Sequence, residues 1–184
     1  MTVTVVYDAC VLYPNTLRDL LIRVGQAGLV RARWTEKILD EVMNALKANR
    51  PDIVPAKLNR LRELMNQSIR DVLVTGYEGL EDGISLPDPD DRHVVAAAVR
   101  CHAELIVTAN LRDFPEENLE SLGVCAIGPD DFLADLVNLH EREVWACIQQ
   151  IADSRLHPPE STEDVLNQLE HSGLIVTTTL IRST

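Results

Sequence analysis

Residues 103–129 read AELIVTANLRDFPEENLESLGVCAIGP, two apolar runs separated by a polar stretch. Both runs are short and bounded by turn residues, which is typical of buried strands, whereas the stretch between them suits a short helix or turn. A strand, a helical connection and a second strand in this order predict neighbouring parallel strands.

The same alternation continues towards the amino terminus. Residues 2–7, TVTVVY, predict a buried first strand, and DVLVTGY at 71–77 predicts another. Helical spacing of apolar residues predicts helices over about 15–27, 35–49, 54–69 and 88–101. Strands that alternate with helices predict a mostly parallel sheet covered on both faces, so the fold class is α/β.

The pattern becomes purely helical after Asp131. Residues 132–153 form one long amphipathic stretch, and residues 161–174 predict a shorter helix that Ser161 or Thr162 caps and Gly173 closes. We therefore predict an α/β domain over residues 1–131 and an α-helical extension over residues 132–184.

Composition excludes some classes of protein. No run approaches the roughly 20 apolar residues of a membrane helix, and the start of the sequence does not resemble a signal peptide. The four cysteines are scattered, which favours free thiols in a reducing cytoplasm over a disulfide framework or zinc site.

Charge is unevenly distributed along the chain. The net charge is −12, yet residues 1–70 carry a balance of +4 and the remainder one of −16. This asymmetry is compatible with a local phosphate-binding face on an acidic protein. Ordinary solvated helix faces explain it equally well.

Polar side chains follow two of the predicted strands. Asp8 ends the first strand, and Asn110 and Asp113 follow the LIVT strand. Ligands of open parallel sheets bind outside the carboxyl ends of the strands, so this edge is the expected place for a site.

Helical geometry distinguishes two neighbouring acids. In residues 35–46, TEKILDEVMNAL, Asp40 shares a polar stripe with Glu36, whereas Glu41 shares a stripe with apolar Ile38. Glu41 is therefore predicted to point inward, where an unpaired carboxylate is costly. The alternative is a partly exposed glutamate at the boundary of the core.

The stretch LPDPDDRHVVAAA, residues 86–98, places three aspartates before an apolar helix. Asp88 as helix cap and Asp91 in the first turn have a purely structural explanation. However, Asp91 is also in line with Val94 and heads the buried face of the helix.

Four separate segments thus offer an acid at a strand end or on an inward face, namely Asp8, Glu41, Asp91 and Asp113. Clustered carboxylates repel one another unless a cation binds. Mg²⁺ or Mn²⁺ suits such oxygen ligands, and two such ions can clamp the reacting oxygens of a phosphodiester. The pattern therefore indicates metal-assisted phosphodiester cleavage.

Four ordered segments carry a resemblance to a known family. VVYDACVLYP, ILDEVMNAL, LPDPDDRHVVAAA and IVTANLRDFP resemble, in order and spacing across residues 1–131, the PIN-domain nucleases and specifically the VapC-type toxins. The resemblance implies an α/β/α sandwich and Mg²⁺- or Mn²⁺-dependent endoribonuclease activity. The helical tail resembles the carboxy-terminal extension of a VapC-type subgroup.

The resemblance also implies roles for the acids. Asp8, Glu41 and Asp91 match the first three family acids, whereas Asn110 stands where many relatives have the fourth. We expect Asp8, Asp91, Asn110 and Asp113 to hold the ions, with Asp8, Glu41, Asp91 and Asp113 forming the catalytic set. Glu41 would orient or deprotonate the attacking water. The Asn110 difference leaves a one-metal mechanism or a weakened enzyme open.

Other residues have supporting roles in this interpretation. Asp88 and Thr108 are expected to support the acids, and Cys10 stands where relatives often have a hydroxyl or amide. His93 is expected to pack or to support the site rather than to transfer protons. Candidate RNA phosphate contacts are Arg18, Arg31, Arg33 and Arg112, for which plain surface charge is the alternative.

The implied partners are an RNA substrate, a cognate antitoxin protein that inserts a segment into the acidic site, and a second copy in a homodimer. Two alternative functions remain open, a PIN-scaffold binding module without catalysis and a structure-specific DNA nuclease. A haloacid-dehalogenase-type phosphatase is disfavoured because DAC after the first strand lacks that chemistry's second aspartate.

Overall fold

A four-stranded parallel sheet forms the centre of the computed structural model, which describes residues 1–184. The strands are β1 (Thr4–Tyr7), β2 (Arg31–Arg33), β3 (Leu105–Val107) and β4 (Cys125–Ile127), in the spatial order β2-β1-β3-β4. All three strand pairs are parallel. The α/β prediction is confirmed, and the stretch at residues 103–129 forms the adjacent pair β3 and β4.

Six helices belong to the part of the chain that forms the sheet. They are α1 (Ala9–Leu12), α2 (Asn15–Gln26), α3 (Glu36–Asn49), α4 (Pro55–Ser68), α5 (Arg92–Arg100) and α6 (Glu116–Leu119). Helix α5 packs against β1 and β3, and α2 packs against β2. Thr35 caps α3 by accepting a hydrogen bond from the Ile38 amide at 3.0 Å. The arrangement is consistent with an α/β/α sandwich.

The strand predicted at residues 71–77 is wrong in extent. It is reduced to one bridge, in which Trp34 donates to the Val72 carbonyl at 3.0 Å and accepts from the Val74 amide at 2.8 Å. Turn geometry limits this segment on both sides, because Asp71 and Gly76 have φ values of 57° and 72°. The four residues between these two turns pair only with Trp34, the residue that follows β2.

The carboxy-terminal region contains three helices, α7 (Pro129–Ser154), α8 (Thr162–His171) and α9 (Ile175–Arg182). Helix α7 is kinked at His140, whose φ and ψ are −142° and 49°, so the single long helix that the sequence predicts is in fact bent. Ser161 caps α8 in a reciprocal box with Asp164. Gly173 follows the end of α8 with a φ of 95°, which is the predicted glycine stop.

Helix α9 was not predicted, because its sequence IVTTTLIR is rich in β-branched residues that disfavour helices. Its first amides donate to the carboxylate of Asp130, from Val176 at 2.9 Å and from Thr177 at 2.8 Å. Ile181 is buried on its inner face. Tertiary contacts therefore outweigh local preference in this helix.

The extension shares a hydrophobic core with the sheet region. Tyr7 of β1 makes an edge-to-face contact with Phe132 of α7, with ring centroids 6.2 Å apart, and α7 also packs on α2. The boundary at residue 131 stays a prediction, although α7 begins at Pro129. None of the helices combines the length and apolar character needed to cross a membrane.

Candidate active site

Asp8 lies at the carboxyl end of β1 and is only 5% exposed. Its carboxylate accepts hydrogen bonds from the Ala9 amide and from the Thr108 hydroxyl, both at 2.8 Å. Burial raises the pKa of Asp8, and the negative charge of Glu41 raises the pKa of Asp8 slightly further. The two hydrogen bonds oppose this rise. Thr108, which follows β3, therefore holds one oxygen of the Asp8 carboxylate in place.

Cys10 contacts both Asp8 and the backbone that follows β3. Its thiol donates weakly to Asp8 at 3.5 Å, and it accepts from the Ala109 amide at 3.3 Å. Burial and the neighbouring Asp8 charge raise the pKa of Cys10 to about 11. The sulfur is therefore a protonated, neutral neighbour of the Asp8 carboxylate.

Glu41 of α3 and His93 of α5 form a pair across 52 positions of the sequence. The Nε2–H of His93 donates to Oε1 of Glu41 at 2.7 Å. His93 is completely buried and its Nδ1 has no hydrogen-bond partner, whereas the Glu41 side chain is 40% exposed. One oxygen of Glu41 is thus fixed from the interior while the carboxylate remains accessible to solvent.

Asp91 sits at the junction between a short 3₁₀ turn, Pro89–Asp91, and helix α5. Burial raises the pKa of Asp91 to about 6, and Asp8, Asp88, Asp113 and Glu41 contribute in the same direction. Acids from three other segments, and Asp88 of the same turn, are therefore close enough to affect one carboxyl group.

Asp88 caps this turn, although in a tighter form than predicted. Its carboxylate accepts from the Asp90 amide at 2.9 Å, since the first turn is 3₁₀ rather than α-helical. The two aspartates divide their roles, because Asp88 holds the backbone and Asp91 faces the other acids.

We expect Asp88→Ala to lower the free energy of unfolding by about 1 kcal/mol through loss of the cap. For a chain of this length, the melting temperature should fall by roughly 2–4 °C. Thermal unfolding followed by circular dichroism measures the change, with Asp90→Ala as the matched control. An unchanged melting temperature in Asp88→Ala would contradict the capping role.

Asn110 and Asp113 follow β3 at the same edge of the sheet. The backbone N–H of Asn110 donates to the Thr108 hydroxyl at 3.1 Å. The side chain of Asn110 is exposed and makes no hydrogen bond. Asp113 ends a 3₁₀ turn, Leu111–Asp113, and is half-buried. Asn110 and Asp113 thus follow the end of β3, and Asp8 follows the end of the neighbouring strand β1.

The four candidate phosphate contacts have different environments. Arg18 is 8% exposed and donates to the carbonyls of Leu12 and Tyr13, at 3.0 and 3.1 Å, and to Asn15. The interpretation of Arg18 as an RNA contact is therefore corrected, because its guanidinium is occupied in holding α1 to α2. Arg31, Arg33 and Arg112 remain accessible at least in part.

The donor chemistry of this edge fits a hard divalent cation. Carboxylate oxygens of Asp8, Asp91 and Asp113 and the amide oxygen of Asn110 are the ligand types that Mg²⁺ and Mn²⁺ prefer. No three His, Cys, Asp or Glu side chains are already grouped closely enough to act as a ready-made metal set.

A groove of about 290 Å³ adjoins Glu41. It is lined by the apolar residues Ala9, Val42 and Ala45 and by the polar residues Tyr13 and Asn49. The Glu41 side chain therefore borders an open, mostly apolar groove.

Comparison with known proteins agrees with this arrangement. Residues 4–112 match a family model described as the PIN domain, and residues 129–183 match a model described as the VapC50 C-terminal domain. The chain is 44% identical over 79 residues to a Mycobacterium tuberculosis (strain ATCC 25618 / H37Rv) protein named "Putative ribonuclease VapC50".

That alignment covers 43% of this chain and 47% of the relative, so the match spans about half the length of the curated relative. No solved structure matches the chain. The first family match covers more than half of the chain and includes Asp8, Glu41, Asp91 and Asn110. The chain therefore belongs to the PIN-domain family and carries a carboxy-terminal region of the VapC50 type.

Proposed function

We propose that this protein is a metal-dependent endoribonuclease that hydrolyses RNA phosphodiester bonds. The observation that carries the proposal is the grouping of acids from separate segments around Asp91, where burial and the carboxylates of Asp8, Asp113 and Glu41 all raise the pKa of Asp91. Family membership and the name of the relative support the same reaction.

Asp8, Asp91, Asn110 and Asp113 would hold Mg²⁺ or Mn²⁺ in this proposal. When bound, such an ion stabilises negative charge on phosphodiester oxygens and activates water. The protein's own contribution is to fix the ligands, and the bonds from Thr108 and Ala9 hold Asp8 in one orientation. Preorganised ligands need less rearrangement as the reaction proceeds.

Glu41 is the proposed base that orients or deprotonates the attacking water. The bond from buried His93 fixes one carboxylate oxygen and leaves the other free to accept a proton. His93 is then a positioning residue, because it acts through Glu41 and does not itself reach the substrate. The bond from buried His93 thus fixes the geometry of the Glu41 carboxylate, while the exposed part of Glu41 stays accessible to water.

We extend the proposal to the toxin of a toxin–antitoxin pair, with an antitoxin protein as partner. The carboxy-terminal match to the VapC50 type and the acidic edge support this role, because a positively charged segment of a partner would be attracted to clustered carboxylates. The four free cysteines suit a reducing cytoplasm as the place where RNA would be cut.

The test is cleavage of single-stranded RNA by the full chain with Mg²⁺ or Mn²⁺, compared with Asp8→Asn. The wild type should produce fragments and the variant should not. A wild type that is inert with both ions but still binds RNA would support a non-catalytic binding module instead. Preferential cleavage of flap DNA would support a DNA nuclease.

A further inference from the structure

A polar cavity lies along the edge strand β2 and extends towards the amino-terminal end of the sheet, away from the acids at its carboxyl end. It has a volume of about 570 Å³ and is lined by Arg31 and Arg33 of β2, by Arg70 beyond α4, and by polar groups that include Ser68. Arg31 pairs with Thr4 at the start of β1, four residues before Asp8. At ~3.3 Å per residue, the start of this cavity is about 13 Å from Asp8 along the strand.

A smaller cavity of about 330 Å³ continues along the same edge. It shares Arg33 with the first and adds Arg100, at the end of α5, beside Thr75. The two cavities together form what we call the arginine groove, defined by Arg31, Arg33, Arg70 and Arg100.

One carboxylate, that of Asp71, lines the arginine groove, and the charges of three of the four arginines have no salt-bridge partner. Arg31, Arg33 and Arg100 form no salt bridge, although the chain has 29 acidic residues and 17 basic ones. Arg70 approaches Asp71 at 3.5 Å, but both side chains are highly exposed, so that pair is weak. The carboxylate of Glu104 forms no salt bridge with these arginines and instead accepts a hydrogen bond from the backbone amide of Thr4 at 2.7 Å.

One donor in the groove has no partner at all. The Nε of Arg33 is buried and makes no hydrogen bond. No hydrogen bond within the protein occupies the terminal nitrogens of Arg33 either, so an anion in the groove can pair with this guanidinium without displacing a partner. Arg100 uses its Nε on the Thr75 carbonyl at 3.3 Å, and no hydrogen bond in the protein occupies its terminal nitrogens.

We propose that the arginine groove binds backbone phosphates of RNA at a site separate from the cleavage site. Arginine forks match phosphate oxygens bidentately, and several in a row suit a polyanion better than a small anion. The groove is polar rather than apolar, which disfavours a hydrophobic protein segment as its occupant. This inference rests on the proposed RNA substrate and adds a contact that only longer RNA can reach.

The test compares binding of RNA of about 30 nucleotides with RNA of about six nucleotides, by fluorescence anisotropy across a range of salt concentrations. Both are measured with Glu41→Gln, so that cleavage does not interfere. Adding Arg31→Gln and Arg33→Gln should weaken binding of the longer RNA by about tenfold and lower its salt slope by about 1.4. Binding of the shorter RNA should not change.

Arg142→Gln is the matched control, because Arg142 is an exposed arginine of α7 without a salt bridge. Arg33→Lys should retain part of the affinity, which a folding defect would not explain, and circular dichroism checks the fold. Unchanged binding of the longer RNA, or equal loss with the shorter RNA, would overturn the inference. Loss of binding to polyglutamate alone would overturn it in favour of an acidic protein partner.

The outcome is separable from that of the proposed function. If the wild type cuts no RNA but the groove variants still lose affinity for long RNA, the groove stands and the nuclease proposal fails. If cleavage is normal and the groove variants bind long RNA as before, only the groove fails.

Discussion

Glu41→Gln and Asp91→Asn should each lower RNA cleavage in Mg²⁺ by at least about 100-fold, since a positioned general base alone contributes roughly 10²–10⁴. Glutamine keeps the shape of Glu41 but cannot take a proton from water. Asparagine at position 91 removes one of the charges that would attract the cation. Initial rates on one RNA substrate, at matched protein concentrations, give the comparison.

Both variants should remain folded, because each removes a charge from a group of mutually repelling acids. The controls are the adjacent exposed acids, Asp40→Asn and Asp90→Asn. Asp40 pairs with Arg62 on the outer face of α3 and should be dispensable for cleavage. Wild-type rates in Glu41→Gln or Asp91→Asn would show that the affected residue has been misassigned.

Removal of divalent ions should abolish cleavage, and Mn²⁺ or Mg²⁺ should restore it. The same ions should raise the melting temperature, because a ligand that binds only the folded state stabilises it. This rise should be larger near about pH 7.5 than near about pH 5, since protons compete with the cation at Asp91, whose pKa is about 6.

The raised pKa of Asp91 also predicts how the stability of the metal-free protein changes with pH. The pKa of Asp91 is raised from 3.8 to about 6 in the folded state, so the native protein holds the proton more tightly than the unfolded chain. The contribution of Asp91 to stability is therefore greatest below pH 3.8 and is lost as the pH rises to about 6.

Thermal unfolding at several pH values, with a chelator and with Mn²⁺, measures both effects. Asp91→Asn should remove this pH-dependent component and much of the shift caused by Mn²⁺. A melting temperature insensitive to both ions across this pH range would contradict metal binding at these acids.

Local patterns were enough to predict three of the four strands and to separate Glu41 from Asp40. They missed β2, whose sequence RAR has no β-branched or aromatic residue, and placed a strand at residues 71–77 instead. Runs of β-branched residues located β1 and β3, because buried parallel strands leave little choice of side chain. Helical periodicity separated Glu41, which bonds to a buried histidine, from Asp40, which contacts surface Arg62. These features depend on neighbours within about one helical turn.

Features that depend on distant neighbours were beyond the reach of such patterns. His93 was expected to pack or support the site, but its bond to Glu41 joins two helices that only the tertiary fold brings together. The buried role of Arg18 is hidden in the same way, because its partners are backbone carbonyls. A sequence motif records neither kind of contact.

The attachment of α9 to Asp130 determines how the extension can be studied. Deleting residues 175–184 would leave the Asp130 carboxylate without two amide donors and would expose the surface of α7 that α9 covers. A shortened chain could then lose activity simply by misfolding, even if the extension has no part in catalysis. Substitutions at outward-facing positions such as Ile175 and Val176 will therefore report on its biological role more reliably than truncation.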